Sequence, residues 1–214
     1  MLTRELILSK TDHTLLKPEA KEADVLALCE DARRFKTASV CIPPRFVNVA
    51  ARFLADAIPV CTVVGFPLGY QTTKAKCAET EEALASGALE IDTVIPIGAV
   101  KDENYKLIFD ELVALKKISG THTLKVIIET CLLTDPEKRM LTKLVAESGA
   151  DFIKTSTGFS KAGAAVADIR LVKETCPAQK VKAAGGIRTF EFAEELISAG
   201  ADRIGASALV ELCK

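Results

Sequence analysis

Short β-branched runs alternate with longer amphipathic segments along the whole chain, and this alternation limits the possible folds more than any other feature. The short runs are apolar and rich in residues that favour strands. The runs predicted as strands are residues 38–42, 60–64, 90–95, 125–128, 152–154, 180–182 and 203–205. An eighth, weaker candidate surrounds residues 12–15, which propensity alone does not mark as a strand.

The segments between these runs carry helix signals. Residues 22–35 place apolar side chains at helical spacing and predict a helix. Thr134 and Glu137 fit a capping box, with a proline in the first turn. The helix that follows is predicted to end at Gly149, and its predicted buried stripe consists of Met140, Leu141, Leu144 and Val145.

Repetition of one strand–helix unit predicts an α/β fold, the (β/α)8 TIM barrel. Similar Gly-Ala junctions at residues 86–88, 148–151 and 199–202 each join a helix to a strand. Eight units in 214 residues leave about 27 residues per unit, near the lower limit for such a barrel. Residues 1–214 are therefore predicted to form a single domain. A doubly wound open sheet is the alternative, although it usually uses fewer strands over this length.

Two lysines lie in apolar strands that open into turns of small residues. Lys154 shares a strand face with Phe152, where a buried ammonium costs several kcal/mol unless it is paired or loses its proton. A neutral amine is a nucleophile that forms Schiff bases with carbonyl compounds. Alone, Lys154 is better explained as an ion-paired or snorkelling side chain. Lys182, in a second such strand, reverses that preference, because a like charge within about 4–6 Å lowers the pKa of one amine.

Further charged residues are predicted to point into the barrel. Asp92 lies on the strand face opposite to Ile91 and Thr93. It is expected to pair with the lysines, to relay protons, or to do both. Lys125 and Glu129 share a strand face and are predicted to form an interior ion pair with a structural role.

Glycine-rich turns follow the last two strands, where barrels commonly bind phosphate through backbone N–H groups. The first turn is Gly185-Gly186-Ile187-Arg188 and the second is Gly205-Ala206-Ser207. A Gly-Gly pair alone is equally typical of an ordinary turn. Because Thr157-Gly158 adds a third turn of this kind, the sequence predicts a phosphate site.

The composition argues against several partners. The net charge of −1 does not favour nucleic acid or a membrane surface as a partner. The seven cysteines form no CxxC pair and indicate a reducing, cytoplasmic compartment. His13 and His122 lack a regular ligand spacing, so no metal is expected, and His13 is expected to pack or hydrogen-bond rather than to react. Cys41 is interpreted as an inert buried thiol, with reaction towards aldehydes as the alternative.

With these residues in place, the chain resembles the deoxyribose-phosphate aldolase family, class I aldolases of the (β/α)8 type. The resemblance runs almost end to end. The segments that carry it are Asp12-His13-Thr14-Leu15-Leu16-Lys17-Pro18, residues 39–42, 63–69, 90–92, 124–130, the strand and turn around Lys154, residues 182–188 and residues 205–207.

This resemblance implies roles for individual residues. Lys154 would be the Schiff-base lysine, Lys182 would lower its pKa, and Asp92 would transfer protons together with Lys182. Ala208 stands where related chains often have a polar residue, which removes one hydroxyl donor from the phosphate site. Substrate-binding roles are expected for Asp12, Thr14, Thr155, Gly158, Gly185, Gly186, Arg188, Gly205 and Ser207.

The resemblance also implies an activity, namely reversible aldol cleavage of 2-deoxy-D-ribose 5-phosphate into acetaldehyde and D-glyceraldehyde 3-phosphate. It implies no cofactor or metal, a place in deoxyribonucleoside catabolism, and a homodimer or higher homo-oligomer. Two alternatives stay open at this point. One is another phosphosugar barrel enzyme, an isomerase or a transaldolase-like transferase. The other is a non-catalytic phosphosugar-binding protein.

Overall fold

A computed structural model describes residues 2–214 and contains a closed barrel of eight parallel strands. Each strand pairs with its neighbours in chain order, and the last strand closes on the first. This confirms the predicted (β/α)8 barrel and excludes the open sheet. The strands are β1 (Thr11–Thr14), β2 (Ser39–Ile42), β3 (Val60–Val64), β4 (Glu90–Val94), β5 (Thr123–Ile127), β6 (Phe152–Lys154), β7 (Lys180–Ala184) and β8 (Arg203–Ala206).

Helices connect the strands and surround the barrel, as this fold requires. Short 3₁₀ turns occupy Pro44–Phe46 and Thr130–Leu132. The helices are α1 (Arg4–Leu8), α2 (Glu22–Phe35), α3 (Val47–Leu54), α4 (Thr73–Ala85), α5 (Ile97–Lys101), α6 (Tyr105–Ser119), α7 (Asp135–Glu147), α8 (Val166–Thr175), α9 (Phe190–Ser198) and α10 (Ala208–Glu211).

The weakest strand prediction, around residues 12–15, is also confirmed. Strand β1 pairs on both sides, because Asp12 lies opposite Ser39 of β2 and Gly205 of β8. Pairing with two neighbours, rather than the propensity of its own residues, therefore determines this strand.

Alternation along each strand separates an apolar outer layer from a charged interior. Residues such as Ile91, Val126 and Val181 join the helices in one large hydrophobic core. Their neighbours in sequence, such as Asp92 and Lys125, are fully buried charged side chains. The main hydrophobic core therefore lies between strands and helices, and the barrel interior holds the charged groups beside a small cluster of Cys41, Cys61 and Val63.

Helix α7 confirms its predicted start but corrects its predicted buried face. Thr134 and Glu137 form the capping box, and Gly149 follows the helix with a φ of 79°. Met140, however, is 45% exposed, so its place in the buried stripe was wrong. Thr142 is buried instead, because its hydroxyl donates to the backbone oxygen of Lys138 at 2.7 Å and needs no external partner.

The helices of the described chain are short. Within residues 2–214, none has both the length and the apolar character needed to cross a membrane.

Candidate active site

One carboxylate in the barrel interior binds three ammonium groups. Asp92 Oδ2 accepts hydrogen bonds from Lys154 Nζ and Lys182 Nζ, both at 2.7 Å. Its other oxygen, Oδ1, accepts from Lys125 Nζ at 3.0 Å. All four side chains are buried. We call this group the Asp92 cluster.

The register of the barrel brings these residues together. Asp92 lies directly opposite Lys125 on neighbouring strands, and Lys154 lies directly opposite Lys182. Like charges at directly opposed positions repel each other, so the two lysines need a shared counter-ion. Asp92 supplies it from across the interior.

A second layer of ion pairs lies around the Asp92 cluster. Asp12 Oδ2 pairs with Lys182 Nζ at 2.5 Å, and Asp12 Oδ1 pairs with Arg203 at 2.5 Å. Glu90 pairs with Lys125 Nζ at 2.5 Å and with Arg203 at 3.3 Å. Among residues 2–214, this network therefore joins four basic groups to three carboxylates, so loss of one proton from a lysine would balance its charge.

The electrostatic surroundings fix the charge state of several of these groups. Burial alone would raise the pKa of Asp92, but the three neighbouring lysines hold it well below its usual value. Burial alone would lower the pKa of Lys182, yet Asp12 and Asp92 raise it above its usual value. Lys125 behaves in the same way, with its pKa raised chiefly by Asp92. At neutral pH, Asp92 is therefore ionised while Lys125 and Lys182 carry protons.

A cavity of about 270 Å³ opens above the cluster at the carboxyl ends of the strands. Lys154 lines this cavity, whereas Asp92, Lys125 and Lys182 do not. Among the described residues of the cluster, Lys154 is thus the amine that a ligand in the cavity can reach. Lys182 lies beneath it as a fixed, protonated neighbour.

Glycine turns form one wall of the cavity. Gly185 has a φ of 89°, in the left-handed region that glycine adopts without strain. The loop after β6 packs directly on this turn: a Cβ on Gly163 would lie 2.1 Å from the backbone oxygen of Gly185. Ala164 N also donates to that oxygen at 3.0 Å. The two loops are therefore joined backbone to backbone beside the cavity.

The structure brings most of the predicted substrate-binding residues to this cavity. Its lining includes Thr14, Gly158, Gly185, Gly186, Arg188, Gly205 and Ser207. Asp12 and Thr155 do not line it. Asp12 belongs to the ion pairs below, and Thr155 Oγ1 bonds to the backbone N and O of Ala184 at 3.1 and 3.2 Å, which ties β6 to β7.

Comparison with known proteins decides the family. The model of the DeoC/LacD family aldolases matches residues 6–213. The chain belongs to the DeoC/LacD aldolase family. It is 49% identical to a deoxyribose-phosphate aldolase of Clostridium botulinum over 209 residues, covering 97% of this chain and 95% of that protein. It is 47% identical to one of Clostridium perfringens, covering 100% and 96% respectively.

Solved structures agree with this family assignment. The aldolase QR15 is 38% identical, has a TM-score of 0.92, and is matched over 95% of this chain and 92% of its own. The tetrameric deoxyribose phosphate aldolase of Aeropyrum pernix is 30% identical with a TM-score of 0.91, matched over 97% and 89%. The whole barrel, and not a fragment of it, is therefore shared with aldolases.

One interior ion pair predicted for this DeoC/LacD aldolase was wrong. Glu129 does not pair with Lys125. Strand β5 ends at Ile127, and Glu129 adopts a left-handed conformation with a φ of 53°, so the strand alternation no longer applies to it. Its carboxylate instead accepts hydrogen bonds from Thr157 N at 3.3 Å and from Thr157 Oγ1 at 2.5 Å. Glu129 therefore positions the turn after β6.

Sequence reasoning missed several residues around the site. Lys17 and Phe159 line the cavity, and Phe159 packs edge-to-face on Phe66 with ring centroids 5.4 Å apart. Both lie in loops whose path no periodicity reveals. Glu90 and Arg203, in contrast, could have been predicted from the sequence. Glu90 shares the strand face of Asp92, and Arg203 begins an apolar strand.

The interior thiols are buried beside the cluster. Cys61 Sγ lies 3.2 Å from Asp92 Oδ1, and burial raises the pKa of this thiol well above its usual value. A hydrogen bond from Cys61 lowers the pKa of Cys41, but Cys41 is fully buried and does not line the cavity. Cys41, Cys61 and Asp92 place ligand atoms within 4.8 Å of one another. The surrounding ammonium groups, however, oppose a cation there.

Proposed function

We propose that this protein catalyses reversible aldol cleavage of 2-deoxy-D-ribose 5-phosphate into acetaldehyde and D-glyceraldehyde 3-phosphate, through a Schiff base on Lys154. One observation carries the proposal. The amine of Lys154 lies at the floor of a cavity walled by glycine turns, bonded at 2.7 Å to the carboxylate that also holds Lys182. The family and the names of its relatives support the same reaction.

The first half of the reaction forms the Schiff base. Neutral Lys154 attacks the C1 aldehyde of the open-chain sugar phosphate, and the resulting carbinolamine loses water to give an iminium ion. Water can leave only if its oxygen gains a proton. We assign this proton to the protonated Lys182, relayed through Asp92, because both lysines bond to the same carboxylate oxygen.

The second half breaks the carbon–carbon bond. The proton of the C3 hydroxyl passes through Asp92 to the Lys182 amine, which gave up its own proton in the dehydration step. The C2–C3 electron pair then moves into the iminium, which becomes an enamine. D-Glyceraldehyde 3-phosphate leaves with the new C3 carbonyl. Protonation of the enamine at C2 and hydrolysis then release acetaldehyde and regenerate Lys154. The iminium nitrogen is the electron sink, so the protein needs to supply only positions and protons.

The phosphate would bind at the glycine turns. Gly158, Gly185, Gly186 and Gly205 offer backbone N–H groups without side chains that would block close approach. Arg188 lines the same wall and adds positive charge. Ser207 adds a hydroxyl at the start of α10. These groups hold the end of the sugar remote from C1, which leaves C1 directed towards Lys154.

We further propose that residues 1–214 act as one catalytic domain in the cytoplasm and form a homo-oligomer. The family match over residues 6–213 supports the single domain. The unpaired cysteines support a reducing compartment. A relative described as tetrameric supports self-association.

Replacement of Lys154 tests the proposal. We expect Lys154→Ala to lower kcat/KM for deoxyribose 5-phosphate more than about 10³-fold, because no other amine of the cluster reaches the cavity. Lys161→Ala is the matched control, since Lys161 is an exposed residue of the loop after β6 that does not line the cavity. Activity of the folded Lys154→Ala variant within tenfold of the parent would refute the proposed role.

The same assay separates the alternatives. A phosphosugar isomerase or transaldolase-like enzyme would leave deoxyribose 5-phosphate intact but convert a ketose or aldose phosphate. A binding protein would retain the sugar phosphate without turnover.

A further inference from the structure

Three potential metal ligands meet on the outside of the barrel, away from the proposed active site. His13 of β1, Asp31 of α2 and Glu211 of α10 place one ligand atom each within 4.8 Å of one another. Because His13 follows Asp12 along a strand, its side chain points away from the interior towards the surrounding helices. We call these three residues the His13 cluster.

The imidazole of His13 is buried without the hydrogen bonds that a buried polar group requires. Its exposed fraction is 2%, and among the described residues neither ring nitrogen makes a hydrogen bond of good geometry, although the backbone oxygen of Ala206 lies near the ring. The nearest carboxylate oxygen, Asp31 Oδ2, lies 4.0 Å from His13 Nε2. Buried polar groups in native proteins are nearly always satisfied, so an unsatisfied imidazole beside two carboxylates calls for a ligand.

The two carboxylates already hold a cation. Lys214 Nζ lies 2.7 Å from Asp31 Oδ2 and 2.8 Å from Glu211 Oε1. The Lys214 side chain is 39% exposed and that of Glu211 is 59% exposed, so the ammonium can move out into solvent without disturbing the core. The two carboxylates therefore favour a positive charge between them, and another cation can replace the ammonium of Lys214.

The donor set of the His13 cluster suits a metal ion. One imidazole with two carboxylates is a donor set for first-row transition ions.

We propose that His13, Asp31 and Glu211 bind a divalent first-row transition metal ion, which displaces the ammonium of Lys214. Bonds of about 2.0–2.2 Å to such an ion require the donors to move closer together, and the exposed Glu211 side chain provides most of that movement. Water completes the coordination. The site is independent of the proposed aldol reaction, because no residue of the His13 cluster lines the cavity.

Histidine NMR with Mn²⁺ as the probe gives a direct test, because the chain contains only two histidines. Protein labelled with ¹⁵N in its histidine rings is freed of metal by chelation and titrated with Mn²⁺. We expect the ring signals of His13 to broaden progressively up to one ion per chain, while those of His122 stay sharp. Equal broadening of both histidines, or no broadening of His13 at one equivalent, would overturn the proposal.

Variants separate the proposed site from adventitious binding. We expect Asp31→Asn to weaken Mn²⁺ binding at least tenfold, since it removes a charged ligand. Lys214→Met should tighten binding several-fold, because the competing ammonium is gone. His122→Gln is the control and should bind as the parent does. An unchanged affinity in folded Asp31→Asn, or no gain in Lys214→Met, would refute the assignment; circular dichroism establishes that each variant is folded.

Discussion

At the residue scale, Asp92 determines how the protons of the barrel interior are distributed. Its Oδ2 bonds to two lysines whose ammonium groups would otherwise repel each other. The pKa of Lys182 is raised by Asp12 and Asp92. Lys182 therefore keeps its proton, and Lys154 is the lysine of the cluster that lines the cavity.

Substitution of Asp92 should separate catalysis from binding. We expect Asp92→Asn to lower kcat for deoxyribose 5-phosphate about 100-fold or more, because an amide cannot relay protons. Inhibition by glycerol 3-phosphate should stay nearly unchanged, since Asp92 does not line the cavity that would hold the phosphate. Equal losses in turnover and in phosphate-ester binding would instead mean that Asp92 mainly shapes the pocket.

The same carboxylate should contribute to stability only above acidic pH. Its folded-state pKa is well below the usual value, because the three lysines outweigh the effect of burial. As the pH falls, the Asp92 carboxylate is protonated in the unfolded chain before it is protonated in the folded chain. Its contribution to stability is therefore present above about pH 4 and is lost as the pH falls. We expect the difference in unfolding free energy between the parent and Asp92→Asn to shrink from about pH 5 to pH 3. A difference independent of pH in urea titrations would contradict this.

At the element scale, a buried ion pair outside the barrel interior joins two helices to the barrel. Lys76 of α4 donates to Glu111 of α6 at 2.6 Å and to the backbone oxygen of Val94, at the end of β4, at 2.8 Å. Lys76 is 0% exposed and Glu111 is 2% exposed. Thr73 donates to the second carboxylate oxygen at 3.0 Å. The pair therefore fixes how α4 and α6 pack beside the strand that carries Asp92.

Breaking this ion pair should lower the unfolding free energy strongly only when one of its two charges remains buried without a partner. We expect Lys76→Met to lower the unfolding free energy by about 3–5 kcal/mol, because Glu111 would remain buried and unpaired. The double variant Lys76→Met with Glu111→Leu should recover most of the loss. Lys106→Met is the control, because its partner Asp110 lies on the exposed face of α6. Urea unfolding measures all three, and a double variant no more stable than Lys76→Met would contradict this interpretation.

At the scale of the whole molecule, the sequence was sufficient to predict the barrel and the interior lysines. Strand periodicity put Lys154 and Lys182 in apolar strands, and the parallel order of the barrel then placed them directly opposite each other. Strand β1 was harder, since Thr11–Thr14 becomes a strand through its pairing with β2 and β8. Strand positions and the residues that face the barrel interior were therefore predictable from periodicity.

The remaining features depend on where loops run and how helices pack. Glu129 lies two residues beyond the end of β5, where strand alternation no longer applies, and it accepts a hydrogen bond from Thr157 instead of pairing with Lys125. Gly163 meets the backbone of Gly185 through a loop whose course no sequence pattern marks. The pairing of Lys76 with Glu111 depends on the relative rotation of two helices. Each of these required the three-dimensional structure.

Trapping the covalent intermediate tests the central claim most directly. The protein is incubated with deoxyribose 5-phosphate, reduced with borohydride, digested and mapped by mass spectrometry, with Lys154→Arg treated in parallel. We expect a reduced adduct on Lys154, an unmodified Lys182, and no adduct in the variant, because Lys154 is the cluster amine that reaches the cavity. An adduct on Lys182, or none at all in folded protein, would contradict the Schiff-base mechanism proposed here.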